Sequence, residues 1–253
     1  MSNQPYEARE QQSPAQREQD LFARLPEQLS GAMQSAPGWA AQLDGVDAHS
    51  VTDRAALAKL PVLRKSEMLE KQKAAPPFGG FLSQNGVTAA RVFMSPGPIW
   101  EPQAPGLDPW NGARALHAAG FKKGNTVLNA FSYHLTPGGF ILDQAAIAMG
   151  CSVFPAGVGN TDMQVEAVEV LKPTGFTGTP DYLKVLLDRG AEQGRDMSSI
   201  KVALVSGGAL FPALREEYAS KGICVAQFFT LSIARNLNCS RSTTFRPATF
   251  DSN

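Results

Sequence analysis

From about residue 90 onward, short aliphatic runs alternate with longer segments of helical length, and this rhythm constrains the fold more than any other feature. The short runs are 90–94, 125–130, 151–154, 175–177, 201–205 and 223–227. Each is rich in β-branched or aliphatic residues and bounded by Gly, Pro, Ser or Asn, the pattern of a buried strand. The segments between them, 109–119, 139–149, 162–171, 180–193 and 212–220, read as helices. Pro109, Pro180 and Pro212 open three of these segments, at the one helical position that tolerates a missing N–H. Such alternation implies an α/β fold, a mainly parallel sheet flanked by helices on both faces. No repeat of fixed period interrupts it.

Upstream of residue 82 the character differs. Residues 1–20 are polar and carry Pro5 and Pro14, which reads as a flexible leader. Residues 21–81 form a helical segment: a short amphipathic helix from Leu21 that is interrupted near Pro26, a helix capped by Thr52 or Asp53 and ended by Pro61, and a third capped by Ser66. Pro76, Pro77, Gly79 and Gly80 cannot continue a regular element, so the boundary with the α/β part (82–222) is expected there.

A chain of 253 residues can bury a core without disulfides or metals. Its formal net charge of +0 supplies no field toward nucleic acid or an anionic membrane, which leaves a small molecule as the expected partner. Cys151, Cys224 and Cys239 contain no CxxC pair, the first twenty residues contain no apolar core of a signal peptide, and no apolar run reaches bilayer length. A cytoplasmic protein is expected.

Three strand ends carry similar punctuation. Met94 is followed by Ser95-Pro96-Gly97-Pro98, Thr177 by Gly178-Thr179-Pro180, and Val205 by Ser206-Gly207-Gly208 within KVALVSGGALFP. If the strands are parallel, all three turns lie at the carboxyl edge of the sheet, where open α/β sheets bind ligands. Glycine amides, hydroxyls and helix N-termini there suit an anionic, nucleotide-like ligand. Thr179 is placed to cap a helix that has Pro180 at its first position and Asp181 in its first turn. His134, beside Tyr133 in a strand-end loop, is a candidate substrate contact, whereas Cys151 reads as a small core residue.

The segments LAKLPVLRKSEM, APPFGGF, VFMSPGP, ARALHAAGFKKGNTVLNAFSYHLTPGGF, GCSVFPAGVGNTDMQVEAVEVLKPTGFTGTPDYLKVLL and IKVALVSGGALFP resemble, in order, those of the AMP-forming adenylating enzymes, specifically the phenylacetate–CoA ligase branch. The resemblance implies a partial large domain of the adenylating-enzyme fold. It also implies ATP- and Mg2+-dependent activation of an aryl or acyl carboxylate to an acyl-adenylate, then transfer to coenzyme A. By matching position, Ser95 and Gly97 lie in the family's phosphate loop. Ser206, Gly207, Gly208 and Ala209 match the segment along the adenine. Tyr133, Gly138 and Gly139 match one wall of the acyl pocket, and Thr179, Pro180 and Tyr182 match another.

Two departures stand out. The phosphate loop reads SPGPIWEP, with one glycine, three prolines and none of the family's closing lysine. Beyond Gly222 the only acid is Asp251, and the family's magnesium acid, ribose aspartate and terminal-domain lysine have no candidate positions. Residues 223–253 therefore read as an aberrant tail on a truncated or frame-shifted chain, inactive alone. The alternative is a noncatalytic module that binds a nucleotide or acyl group.

Overall fold

The first helix begins at Pro14, not at Leu21, because Ser13 and Gln16 satisfy each other's backbone donors. Gln16 N–H donates to the Ser13 hydroxyl at 3.2 Å, and Ser13 N–H donates to the Gln16 side chain at 3.1 Å. In the computed structural model, which describes residues 5–85 and 88–228, this helix (α1, Pro14–Ser35) runs straight through the expected interruption at Pro26. The described residues fall into two units, one of residues 7–105 and one of 106–228 with 5–6.

In the first unit, α1 is followed by α2 (Pro37–Gln42), α3 (Arg54–Leu57) and α4 (Lys65–Ala74). Asp53 caps α3 as expected, its carboxylate accepting the Ala56 N–H at 2.7 Å. Ser66 does not cap α4. That helix starts two residues earlier than a Ser66 cap would place it, with Arg64 as its N-cap and the Glu67 carboxylate accepting the Arg64 N–H at 3.1 Å. The proline- and glycine-rich stretch 76–81 is not the junction between the units. It packs against α2, where Gly38 N–H donates to Gly80 O at 2.8 Å and a Cβ on Gly38 would lie 2.6 Å from Gly79 O.

Strand β1 (Arg91–Ser95) turns back into β2 (Ile99–Gln103), an antiparallel pair forming a sheet of its own. Sequence pattern missed β2 because Pro102 and Glu101 interrupt its alternation; a strand with only one partner tolerates a proline that an interior strand would not. The Ser95–Pro98 turn is therefore a hairpin turn in this unit, and the expectation that it follows a strand of the parallel sheet is corrected.

The second unit contains α5 (Ala113–Ala119), β3 (Thr126–Asn129), α6 (Gly138–Ala148), β4 (Ser152–Phe154), α7 (Thr161–Leu171), β5 (Gly175–Gly178), α8 (Pro180–Glu192), β6 (Val202–Val205), α9 (Pro212–Ser220) and β7 (Cys224–Gln227). Its five strands are all parallel, in the order β4-β3-β5-β6-β7. The expected α/β architecture is thus observed. β7 extends the sheet past Gly222, and the rest of the expected tail, 229–253, lies outside the described residues.

Register divides the buried side chains between two faces. Leu128, Phe176, Ala203 and Val225 stand in line on one face, packed with Val165 and Val168 of α7, Leu183 and Leu186 of α8, and Tyr218 of α9. Val127, Asn129, Gly175, Thr177 and Leu204 occupy the other, on the side of α5 and α6. There the Phe121 ring lies so close to β5 that a Cβ on Gly175 would come within 2.5 Å of it. Among the described residues no helix is long and apolar enough to cross a membrane.

That contact makes a prediction. Gly175→Ala overpacks the α5 face and lowers stability by about 1–3 kcal/mol, and Phe121→Leu in the same chain restores part of the loss. Denaturant titration of the two single variants and the double variant checks it; additive losses would show that the ring does not set the glycine.

Candidate functional site

The carboxyl edge of the parallel sheet is shaped by one buried amide. Asn129, the last residue of β3, is 1% exposed, and its side chain uses its full hydrogen-bonding capacity. Its Oδ1 accepts from the Thr177 hydroxyl at 2.9 Å and from Phe131 N–H at 3.3 Å. Its Nδ2 donates to the Tyr133 hydroxyl at 2.7 Å and to Gly139 O at 2.8 Å. Tyr133 passes the chain on, donating to Asp143 Oδ1 of α6 at 3.0 Å. One side chain thus joins β3 to β5, to the 130–137 loop and to the N-terminus of α6. Burial, reinforced by the Asp143 carboxylate, pushes the Tyr133 phenol above its ordinary range.

Two of the expected acyl-pocket residues, Tyr133 and Gly139, belong to this network, and the others lie on the same edge of the sheet. Gly139 N–H donates to Ser132 O at 2.9 Å, and a Cβ on Gly139 would lie 2.6 Å from that same oxygen, so close packing alone requires the glycine. Gly138 lies against Phe131. His134 is exposed, and its backbone N–H donates to the Ser132 hydroxyl at 3.1 Å. Tyr182 donates to Gly159 O at 3.3 Å and lies 3.3 Å from the Thr161 hydroxyl, which ties α8 to the loop after β4. Gln164 adds a second tie, donating to Gly157 O at 3.1 Å and Gly159 O at 2.8 Å.

The β5 and β6 ends meet directly. Thr179 is the N-cap residue of α8 and Pro180 its first residue, as expected, but the Thr179 side chain makes no capping bond. Its methyl group stands 3.6 Å from where a Cβ on Gly207 would be. Gly207 has φ +75°, a conformation that favours glycine. A Cβ on Gly208 would meet the Pro180 ring at 3.2 Å. Gln227 Nε2 donates to Gly208 O at 2.8 Å, and the Tyr218 hydroxyl donates to Pro180 O. Ser206 is half-buried; Gly207 and Ala209 are exposed. Leu135, Val158 and Phe211, in the three loops of this edge, leave large apolar side chains exposed.

Ten of the expected residues (Tyr133, His134, Gly138, Gly139, Thr179, Pro180, Tyr182, Ser206, Gly207 and Gly208), with Ala209, therefore belong to loops or helix starts at one edge of one sheet. Ser95 and Gly97 belong to the hairpin of the other unit. Among the described residues no group of three or more His, Cys, Asp or Glu is gathered to hold a metal ion.

The fold has close counterparts among solved structures. A 2-hydroxyisobutyryl-CoA ligase in the postadenylation state, in complex with R3-HIB-AMP, superposes with a TM-score of 0.83 at 22% identity, over 90% of this chain and 51% of that one. An open conformation of that ligase in complex with 2-HIB-AMP and CoA gives 0.83 at 21%, over 93% and 60%. In sequence, the phenylacetate-coenzyme A ligase of Aromatoleum evansii is 28% identical over 221 residues, 83% of this chain and 49% of the relative. That of Pseudomonas putida is 29% identical over 201 residues, 76% and 44%. No protein-family model matches. The chain is similar to the phenylacetate–coenzyme A ligases and has the fold of the AMP-forming adenylating enzymes. It spans about half the length of the curated ligases it matches.

Asn129, Thr177, Asp143 and Gln164 escaped the sequence reading of this ligase-like chain. The available signals were a lone acid in the apolar helix GGFILDQAAIA and an asparagine closing an aliphatic strand. The acid is half-buried and the asparagine buried, and polar groups so placed must find partners.

Asn129→Ala leaves the Thr177 hydroxyl and Gly139 carbonyl without their partner and is expected to cost about 2–4 kcal/mol in denaturant unfolding, more than Tyr133→Phe at about 1 kcal/mol. Because the Tyr133 phenol titrates higher in the folded chain than unfolded, its contribution is fully present below the unfolded value near ~10 and is lost as pH rises beyond it. Tyr133→Phe should consequently lose less stability than the wild type on raising the pH through about 10; equal losses would contradict the network.

Proposed function

We propose that this chain forms part of an ATP-dependent acid–CoA ligase and supplies one side of its acyl-adenylate site. In this reading a carboxylate oxygen attacks the α-phosphorus of ATP, pyrophosphate leaves, and the coenzyme A thiol then displaces AMP to give a thioester. The backbone of Ser206, Gly207, Gly208 and Ala209 runs beside the adenine. Tyr133, His134, Gly138, Gly139, Thr179, Pro180 and Tyr182 bound the acyl group. Ser95 and Gly97 take the phosphates of ATP, which arrive with Mg2+. Residues 82–222 are the contributing part of the adenylation domain, and the setting is the cytoplasm.

The observation that carries the reading is the gathering of Tyr133 and Gly139 around the saturated Asn129 amide, with Thr179, Pro180 and residues 206–209 at the same edge of the sheet, on a fold otherwise met in ligases solved with acyl-AMP. Exposed Leu135, Val158 and Phe211 favour an apolar or aryl acid over a small polar one. The residues of this edge also fit a backbone-lined nucleotide contact, since any Cβ at Gly207 is strained by its positive φ.

The 253-residue chain is expected to bind a nonhydrolysable acyl-adenylate mimic, such as an acyl-sulfamoyl adenosine, and to gain about 2.7 kcal/mol of stability at a hundred times its Kd. Gly207→Val should weaken that binding by about tenfold or more. Alone the chain should not release pyrophosphate from ATP and phenylacetate, because beyond Gly222 it carries no acid before Asp251. Binding without turnover supports this assignment. Acid-dependent pyrophosphate release overturns the expectation of inactivity, and no response to the mimic overturns the adenylate site itself.

A further inference from the structure

The hairpin turn 96–98 is poor in the donors a phosphate needs, since Pro96 and Pro98 have no N–H and Gly97 alone offers one. A cation is nevertheless held against it from another element. Lys65, the first residue of α4, donates from Nζ to Pro96 O at 2.5 Å, and its Cε would lie 3.0 Å from a Cβ on Gly97. Gly97 sits at φ +134°, so the position both favours glycine and leaves room for the lysine stem.

The placement is fixed by the helix. Lys65, Met68 and Gln72 share one stripe of α4, at helical spacing. Gln72 fastens that stripe to β2: its Nε2 donates to Trp100 O at 2.8 Å, and its Oε1 accepts the Trp100 N–H at 2.9 Å. Met68 packs in a buried cluster with Phe81 and Ile99, the residue that follows the turn. Among the described residues no carboxylate pairs with Lys65, which is exposed. An ammonium group has three N–H donors, and Pro96 O accounts for one.

Building on the adenylating reading, we infer that Lys65 is the phosphate-binding cation of this hairpin turn, taking from α4 the role that the turn's own sequence leaves unfilled, with Gly97 N–H as a neutral partner. The ligand is the polyphosphate of a nucleoside triphosphate, which a compact ammonium point charge binds well.

The test titrates the full 253-residue chain and its Lys65→Gln and Lys65→Arg variants with ATP and, separately, with adenosine. Lys65→Gln should weaken ATP by about tenfold or more while leaving adenosine unchanged, and Lys65→Arg should recover most of the loss. ATP affinity in Lys65→Gln within about twofold of the wild type, with adenosine still bound, overturns this assignment and leaves the adenylating reading intact. Failure of the wild type to bind either compound overturns both. Acetylation of the wild-type chain, followed by mass spectrometry, removes dependence on the variants' folding. Saturating ATP should slow modification of Lys65, and an unchanged rate counts against the assignment.

Discussion

A single side-chain amide decides what the carboxyl edge of this sheet looks like. Asn129 ends an aliphatic strand, and in a dry environment each of its donors and acceptors would cost about 1–3 kcal/mol if left unpaired. Every one is paired, and the four partners come from β5, the loop after β3, Tyr133 and the start of α6. Because the partners are spread over separate elements, the amide converts a local need for hydrogen bonds into a fixed relative position for the segments that surround the proposed acyl site. A hydrophobic residue at 129 would pack the sheet but leave the 130–137 loop without its anchor.

The glycines around that edge serve packing first. Gly139 admits the Ser132 carbonyl, Gly208 admits the Pro180 ring, and, at the amino end of β5, Gly175 admits Phe121. Gly207 and Gly159 at this edge combine an exposed position with a backbone angle that favours glycine, as does Gly97 in the hairpin of the other unit. This separates glycines that let the protein approach itself from those at which another molecule could approach the backbone.

Much of the architecture was legible because it rests on local signals. Strands β3 to β7 and helices α6 to α9 announce themselves by short β-branched runs, by length, and by prolines at helix starts such as Pro180 and Pro212. What escaped depended on partners distant in sequence. The start of α1 is written in Ser13-Pro14-Ala15-Gln16, yet a polar surrounding and Pro26 concealed it. β2 has too few apolar positions to declare itself without β1, and its existence removed the Ser95 turn from the parallel sheet. Thr177 and Asn129 are 48 positions apart, so no pattern read along the chain could pair them. The lysine expected inside the phosphate loop was absent from that stretch, while one stood against the same turn from a helix 31 positions earlier.

The central claim is that the segments tied together by Asn129 face an acyl-adenylate. Hydrogen–deuterium exchange of the 253-residue chain, with and without an acyl-sulfamoyl adenosine, tests it most directly. The account predicts slowed exchange confined to 130–139, 178–182 and 206–211, with residues 120–125 and 172–174 at the opposite edge of the sheet unaffected. Protection centred on the opposite edge, or spread evenly over both, would contradict it.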